Sequence, residues 1–157
     1  MLNKRKVDIA CIQETKWKGK KTLMIGDEYK LYYNGIVSNR NGVGIILSQD
    51  LTSSVVEVKR ISERLMKIKL CIGQSILHIL SVYAPQTGCK AEEKDDFITI
   101  LDEAVMEISK NDLVIIGDDK TNYKKYKRIA KKVVARAKSM AYDDMYEDLK
   151  GKIKYTD

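Results

Sequence analysis

Up to residue 119, the apolar residues lie in short runs separated by turn residues, and this spacing constrains the fold more than any other feature of the sequence. The runs at 7–12 and 43–47 are typical of buried strands, and residues 29–33 form a third strand candidate. Asn34-Gly35 and Asn41-Gly42 are turn signals. The sequence therefore predicts short strands, with one turn directly after residue 33 and another before residue 43.

Residues 66–83 predict a β-hairpin. From Met66 to Ile72, apolar residues alternate with Lys67, Lys69 and Cys71, which is the pattern of a strand with one solvent-facing side. Gly73-Gln74 is short enough for a hairpin turn. The nearly continuous apolar stretch 76–82 predicts that the second strand, 75–83, lies inside the sheet.

The period changes in residues 91–109, where Phe97, Leu101 and Val105 follow helical spacing and acidic residues occupy the first turns. A short apolar run at 112–116 then predicts another buried strand, which Gly117-Asp118-Asp119 ends. Strands combined with an amphipathic helix predict an α/β fold for this part of the chain.

The charge of the chain is divided sharply at residue 119. Residues 1–119 contain 17 basic and 17 acidic side chains, whereas residues 120–157 contain 12 and 5, so the net charge of +7 lies entirely in the last segment. Small and apolar residues recur there at helical spacing between 121 and 149, which predicts a long basic helix. We therefore divide the chain into a domain at 1–119 and a basic amphipathic helix at 120–157.

Three cysteines without a CxxC pair predict neither a disulfide framework nor a zinc site. The sequence contains no apolar run of the roughly 18 residues that a membrane span needs. The first residues do not form a signal-peptide core. We therefore expect an intracellular protein, nuclear or cytoplasmic, without a membrane partner.

Polar residues that could act in phosphodiester hydrolysis follow three of the predicted strands. Glu14 follows the strand 7–12, Tyr83 ends the strand 75–83, and Asp118 follows the strand 112–116. Such chemistry uses carboxylates that hold a divalent metal and groups that stabilise charge at phosphorus. If the three strands are neighbours and run in the same direction, these side chains meet at one edge of the sheet.

The same residues lie in blocks that resemble the endonuclease/exonuclease/phosphatase family. The resemblance covers nearly all of residues 3–118 and is strongest to the endonuclease domain of LINE-type (non-LTR) retrotransposon polyproteins. It implies a partial αββα layered sandwich. The matching blocks, in order along the chain, are Val7 to Trp17, Asn41 to Leu47, Ser81 to Pro85 and Val114 to Asp118.

The resemblance implies a role for each candidate residue. Glu14 matches the family's magnesium-ligating glutamate, Tyr83 its phosphate-contacting tyrosine, and Asp118 the aspartate that acts on the nucleophilic water. The implied ancestral reaction is Mg²⁺-dependent cleavage of DNA.

The sequence also departs from the family. The Phe and Asn that follow the family's aspartate are Asp119 and Lys120 here, its asparagine-bearing first strand would precede Met1, and its final Asp-His pair has no counterpart. His78, inside an apolar strand, is interpreted as a satisfied core or surface-facing histidine. Because groups that act as a unit are missing together, we expect cleavage to be absent or very weak.

The segment after residue 119 resembles the helical linker before a reverse transcriptase, which suggests that two separated pieces of one element have been joined. Its cations are candidate nucleic-acid contacts, although a solvated helix face explains them equally well. An incomplete sandwich also leaves strand edges open to self-association or a partner. A binding remnant without enzymatic activity and a relic without a selected role therefore remain alternatives. The candidate contacts are Lys124, Lys125, Lys127, Arg128, Lys131, Lys132 and Arg136.

Overall fold

A computed structural model describes residues 7–118. These residues form eight strands and two helices, and the sheets and helix α2 stack as layers. The elements in chain order are β1 (Ile9–Gln13), β2 (Gly19–Ile25), β3 (Tyr29–Gly35), β4 (Val43–Ser48), α1 (Gln49–Thr52), β5 (Val55–Ser62), β6 (Leu65–Ile72), β7 (Ser75–Val82), α2 (Ala91–Met106) and β8 (Leu113–Asp118).

The first sheet has the strand order β1-β4-β3-β2, and its neighbouring strands are all antiparallel. The predicted turn at Asn41-Gly42 is confirmed, because both residues have left-handed φ angles of 53° and 95°. The turn predicted at Asn34-Gly35 is wrong, since both residues belong to β3. The Asn34 side chain is buried there and donates a hydrogen bond of 2.6 Å to the carbonyl oxygen of Ser62, so it serves packing rather than a turn.

The second sheet has the order β5-β6-β7-β8 and contains the predicted hairpin. Ile72 pairs with Ser75, so Gly73-Gln74 is the two-residue turn, and β7 lies between β6 and β8 as predicted. Strand β8 is parallel to β7, and the helix α2 provides the crossover that a parallel pair needs. Strands β1 and β8 each pair on one side only within residues 7–118.

One feature of the predicted hairpin is only partly confirmed: on the side of β6 that was predicted to face solvent, Cys71 is exposed and Lys69 is partly exposed, but Lys67 is buried. Helix α2 packs over this side of the sheet, and Lys67 is only 3% exposed. Its ammonium group lies 3.0 Å from Glu107 Oε2 and 3.4 Å from the Ala104 carbonyl oxygen, at the end of the helix. The lysine is therefore buried because it has a carboxylate and a helix carbonyl as partners.

The main core lies between the two sheets, and a second core lies between the second sheet and α2. Ile45, Ile68 and Ile79 are fully buried in the main core, where each such side chain contributes about 1.5–3 kcal/mol relative to an exposed one. A smaller cluster around Leu31 and Tyr33 forms on the other side of the first sheet.

The proposed division at residue 119 falls at the end of the described part of the chain. The predicted basic helix, Asp119, Lys120 and the seven candidate nucleic-acid contacts all lie outside the described residues. Within residues 7–118, neither helix has the length and apolar character needed to cross a membrane.

Candidate active site

The ends of strands β1, β7 and β8 meet, but not within one sheet as predicted. Strand β1 belongs to the first sheet, and it crosses the ends of β7 and β8 in the second. Ser81 Oγ donates a 3.2 Å hydrogen bond to the Ile12 carbonyl oxygen, and Gln13 Nε2 donates one of 3.2 Å to the Gly117 carbonyl oxygen. The site is therefore assembled across the interface between the sheets.

This close contact requires a glycine on β8. A Cβ atom on Gly117 would overlap the side chain of Cys11, so a larger residue would push β1 away from β8. Burial raises the pKa of the Cys11 thiol to about 11, against a smaller opposing effect from a backbone hydrogen bond at Gly117. The thiol is therefore protonated at neutral pH and acts as a packing group.

Glu14 lies directly after β1, and its backbone has a left-handed φ of 54°. Its carboxylate is half exposed, and Glu14 Oε1 lies 4.0 Å from Lys16 Nζ. Lys16 also has a left-handed φ, of 57°. Such conformations are uncommon for residues other than glycine and are found where the surroundings hold the chain.

The neighbouring turn holds this strained segment in place. The amide groups of Thr15 and Lys16 donate hydrogen bonds of 3.2 Å and 2.9 Å to the carbonyl oxygens of Gly42 and Asn41. The Asn39 amide in turn donates a bond of 3.0 Å to the Lys16 carbonyl oxygen. These bonds fix the backbone on which the Glu14 carboxylate is presented.

Tyr83 is buried directly after β7, and its hydroxyl interacts with Glu14. Burial raises the pKa of Tyr83, and the charge and hydrogen bond of Glu14 raise it further. A hydrogen bond of 3.3 Å from Gln86 Nε2 and the charge of Arg64 oppose this shift. Tyr83 therefore remains a neutral hydroxyl group at neutral pH, which is the form that can donate a hydrogen bond to a phosphate oxygen.

Arg64, a residue that no sequence pattern predicts for the site, packs against the ring of Tyr83. Its guanidinium carbon lies 5.2 Å from the centre of the Tyr83 ring, and its side chain is 9% exposed. Arg64 Nη2 is 2.7 Å from Glu93 Oε1 on α2, and this partner lowers the pKa of Glu93. A cation over an aromatic face is attractive, so the pair helps to fix the ring. The chain offered no local signal for this role, because Arg64 sits in a charged turn before β6.

Asp118 is the last residue of β8, and the structure describes its backbone but not its side chain. It pairs with Val82, the residue before Tyr83. The structure thus brings Glu14 and Tyr83 into contact and places the Asp118 backbone beside them. Their assigned chemical roles stay predictions.

The donor set around Glu14 fits a magnesium ion only in part. Carboxylate oxygen is the ligand that Mg²⁺ prefers, and the ion is often bound by one or two carboxylates together with water and substrate phosphate. Within residues 7–118, no group of three or more His, Cys, Asp or Glu side chains is placed to hold a metal. The Lys16 ammonium group near Glu14 also reduces the local negative charge. The described residues therefore fit an ion that is held by few protein ligands and completed by substrate.

His78 lies near the middle of β7 and is buried in the core, as the first of the two alternatives predicted, but it is only partly satisfied, because its buried Nδ1 has no hydrogen-bond partner among residues 7–118. His78 Nε2 lies 2.8 Å from Asp112 Oδ2. Burial lowers the pKa of His78, while the hydrogen bond to Asp112 opposes the shift. His78 lies five positions before Tyr83, which is about 16 Å along a strand, so it cannot act at the Glu14 site.

Trp17 lies on the same loop as Glu14. Its ring makes an edge contact with Tyr33, with the ring centres 5.4 Å apart. The side chain nevertheless remains 48% exposed. The loop therefore carries a large aromatic surface beside the candidate active site.

Comparisons with known proteins agree on the fold. Craniofacial development protein 2 of Bos taurus is 31% identical over 114 residues, which are 71% of this chain and 19% of that protein. Among solved structures, a humanized D. rerio TDP2 with 14 mutations has a TM-score of 0.59 at 14% identity, covering 82% of this chain and 58% of its own. The AP endonuclease LMAP of Leishmania major has a TM-score of 0.55 at 13% identity, covering 78% of this chain and 49% of its own.

The chain thus spans about a fifth of the curated relative and about half of each solved structure. No family model matches the sequence. The two-sheet α/β architecture, the similarity to TDP2 and to an AP endonuclease, and the relative at 31% identity nevertheless point the same way. The described residues have a partial endonuclease/exonuclease/phosphatase-type fold.

Proposed function

We propose that this chain is a remnant of a Mg²⁺-dependent DNA endonuclease of the LINE retrotransposon type, in which DNA cleavage is absent or very weak. The observation that carries the proposal is the position of the Glu14 carboxylate, which lies across the sheet interface close enough to the Tyr83 hydroxyl to raise the pKa of Tyr83. Tyr83 also packs in the core between the sheets, whereas the Glu14 carboxylate is half exposed and sits on a strained backbone. Such strain is found most often at functional sites.

The groups at this site are suited to binding a phosphate group, but they supply few of the groups that cleavage of a phosphodiester needs. Glu14 would hold the metal, and Mg²⁺ bound there would stabilise negative charge on a phosphate group. The neutral Tyr83 hydroxyl would donate a hydrogen bond to a phosphate oxygen, and Lys16 would add a positive charge. Asp118 is the residue available to orient water.

The position of His78 is consistent with the proposed loss of activity. His78 is paired with Asp112 in the middle of β7, five positions before Tyr83, so it is not placed at the Glu14 site. Asp119 and Lys120 replace the Phe and Asn that follow the family's aspartate. Groups that act together in catalysis cannot be lost together without a fall of several orders of magnitude in rate.

Nicking of a supercoiled plasmid in Mg²⁺ tests the proposal. We expect the rate to stay near the level of the buffer alone and to be the same for the wild-type chain, Glu14→Ala and Asp118→Ala. Glu28→Ala is the matched control, because Glu28 is an exposed acid at the turn between β2 and β3. Metal-dependent nicking that is lost in Glu14→Ala and Asp118→Ala but kept in Glu28→Ala would contradict the proposed loss of activity.

A second candidate function is binding without catalysis. Strands β1 and β8 both have an unpaired edge within residues 7–118, and they pack against each other on one side of the molecule. Adjacent open edges can pair with another strand, so self-association through this side is the favoured form. Sedimentation velocity should show a dimer, and Ile9→Pro in β1 should disrupt it. Val56→Pro in β5, on another exposed edge, is the control and should leave the dimer intact. A monomer at all concentrations would rule this candidate out.

DNA binding through the basic segment after residue 119 is tested separately. Its nine cations between residues 120 and 138 should make the affinity fall steeply with salt. Removal of residues 120–157 should abolish most of the binding. Affinity that is unchanged by the truncation would reject a role for this segment.

A further inference from the structure

The loop that presents Glu14 also carries a basic and aromatic surface, which we define as Lys16, Trp17, Lys18, Lys20 and Arg40. Residues 15–26 contain four lysines and no acidic residue, and the adjoining residues 36–42 contain Arg40 and no acidic residue. The surface is therefore positive, although residues 1–119 have no net charge. All five of its side chains are exposed.

We propose that this surface binds an unpaired stretch of DNA, with Trp17 stacked on a base and the lysines on the backbone phosphates. The indole ring of Trp17 is half exposed, and its edge contact with Tyr33 restricts its orientation. Exposed aromatic rings within a positively charged surface are the common means of binding single-stranded nucleic acid.

The loop is also ordered before any ligand arrives. The Lys16 amide and carbonyl groups both take part in hydrogen bonds with the segment 39–41, and Gly19 pairs with Gly35 where β2 begins. Trp17 thus lies between two fixed points of the backbone. A surface that is already ordered loses less conformational entropy on binding than a flexible one.

The charges favour DNA over a protein partner. Lysine is depleted in protein interfaces, whereas phosphate contacts of nucleic acids are made largely by Lys and Arg. Lys18 and Lys20 make no ion pair within residues 7–118, and they are therefore available to phosphates. Lys16 and Arg40 have long contacts of 4.0 Å and 3.8 Å to Glu14 and Glu93, and their side chains remain 54% and 65% exposed.

The position of Trp17 connects the surface to the candidate site. Trp17 lies three positions after Glu14, so their Cα atoms are at most about 11 Å apart. A strand bound at Trp17 would continue past the Glu14 carboxylate within a few nucleotides. The inference deepens the proposed function, because it names single-stranded or locally opened DNA as the form that this site receives.

Because Trp17 is the single tryptophan of the chain, its fluorescence reports on this surface alone. The full chain is titrated with a dT oligonucleotide, with an abasic deoxyribose-phosphate oligomer of equal length, and with inorganic polyphosphate. Stacking should quench the emission with dT but not with the other two anions. Equal quenching by all three, or quenching by none, would overturn the proposal.

Variants test the two kinds of contact separately, with affinity measured from the anisotropy of labelled dT. Trp17→Ala should weaken binding about tenfold, while Trp17→Phe, which keeps a ring against Tyr33, should restore most of the affinity. Lys18→Gln with Lys20→Gln should lower the slope of log affinity against log salt by about 1.4. Lys110→Gln, at an exposed lysine after α2, is the control and should leave the slope unchanged.

Two results would contradict the proposal that this surface binds DNA, and neither bears on the proposed loss of cleavage. One is a Trp17→Ala variant that is folded and binds dT with unchanged affinity. The other is a dimer that Trp17→Ala dissociates while dT leaves the emission unchanged, which would make the surface a protein interface. Plasmid nicking tests the proposed loss of activity independently, because it compares the wild-type chain with Glu14→Ala and Asp118→Ala and does not involve Trp17.

Discussion

The two ends of strand β7 carry polar clusters of opposite character. In the first half of β7, His78 is paired with Asp112, and Lys67, which lies opposite Leu80 on the adjacent β6 strand, is paired with Glu107; we call these groups the His78 end. These groups are held between the sheet and the end of helix α2. Beyond the other end of β7, Tyr83 contacts the half-exposed Glu14 from the opposite sheet.

The difference separates stability from function. A buried charge destabilises a fold unless it has a partner. At the His78 end, the partners lie within the second sheet and at the end of α2, at distances of 2.8 Å for His78–Asp112 and 3.0 Å for Lys67–Glu107. The Glu14 end instead exposes a carboxylate, uses left-handed backbone and depends on contacts between the sheets. We therefore expect substitutions at the His78 end to change stability and those at the Glu14 end to change ligand binding.

The largest effect is expected at the His78 end. Glu107→Ala should lower the free energy of unfolding by about 3 kcal/mol, because it leaves the buried Lys67 ammonium group without its carboxylate. The measurement is denaturant unfolding followed by circular dichroism. Glu103→Ala, an exposed acid on the same helix, is the control and should cost less than about 0.5 kcal/mol. Equal losses in both variants would show that the buried lysine does not depend on Glu107.

A somewhat smaller effect is expected where the turn supports the Glu14 loop. Gly42→Ala should cost about 2 kcal/mol more than Gly26→Ala, because both glycines have left-handed φ but a Cβ at residue 42 would also overlap the Thr15 side chain. Gly26 has open space around it, so its substitution measures the backbone cost alone. Thermal unfolding compares the two variants. Equal costs would mean that the Glu14 loop moves freely away from the turn.

The pH dependence of stability distinguishes the two ends further. Burial lowers the pKa of His78 below 6.5 in the folded state, so the unfolded chain takes up a proton at a pH where the folded chain does not. Stability should therefore fall as the pH drops below 6.5. The groups facing His78 are Asp112, which opposes the shift, and Lys67 and Lys69, which reinforce it.

Urea unfolding between pH 7.5 and pH 5.5 measures this fall. His78→Gln removes the titrating ring while keeping a side chain that can bind Asp112, and it should flatten the pH dependence in this range. Glu14→Gln serves as the control at the other end of β7 and should keep the wild-type slope. A slope that survives in His78→Gln would assign the pH dependence to another group.

Local periodicity was sufficient to predict most of the fold. The continuous apolar runs of β4 and β7 and the helical spacing of α2 correspond to elements in the structure. Strands β2 and β5 were missed, because β2 begins with Gly-Lys-Lys-Thr and is largely exposed, while β5 has two register shifts. Neither strand has the regular burial that gives a readable pattern.

The candidate site was only partly predictable, because its geometry depends on tertiary packing. Glu14 and Tyr83 could be named from their motifs, but their contact requires β1 to cross the end of β7 from the other sheet. The support of Tyr83 by Arg64 joins residues 19 positions apart, and no spacing rule relates them. For the same reason, the burial of Lys67 was missed: an alternating strand does not reveal that a helix will cover its polar side.

The smallest effect on stability is expected at Glu14 itself. Glu14→Gln should change the free energy of unfolding by less than about 0.5 kcal/mol, because the carboxylate is half exposed and its ion pair with Lys16 is long and solvated. The amide can still accept a hydrogen bond from the Tyr83 hydroxyl, so the loop has no reason to move. Chemical unfolding of this variant beside Glu107→Ala measures the two ends of β7 on one scale. A loss above about 1 kcal/mol in Glu14→Gln would make Glu14 a structural residue, and its strained backbone would then serve the packing of the two sheets rather than a ligand.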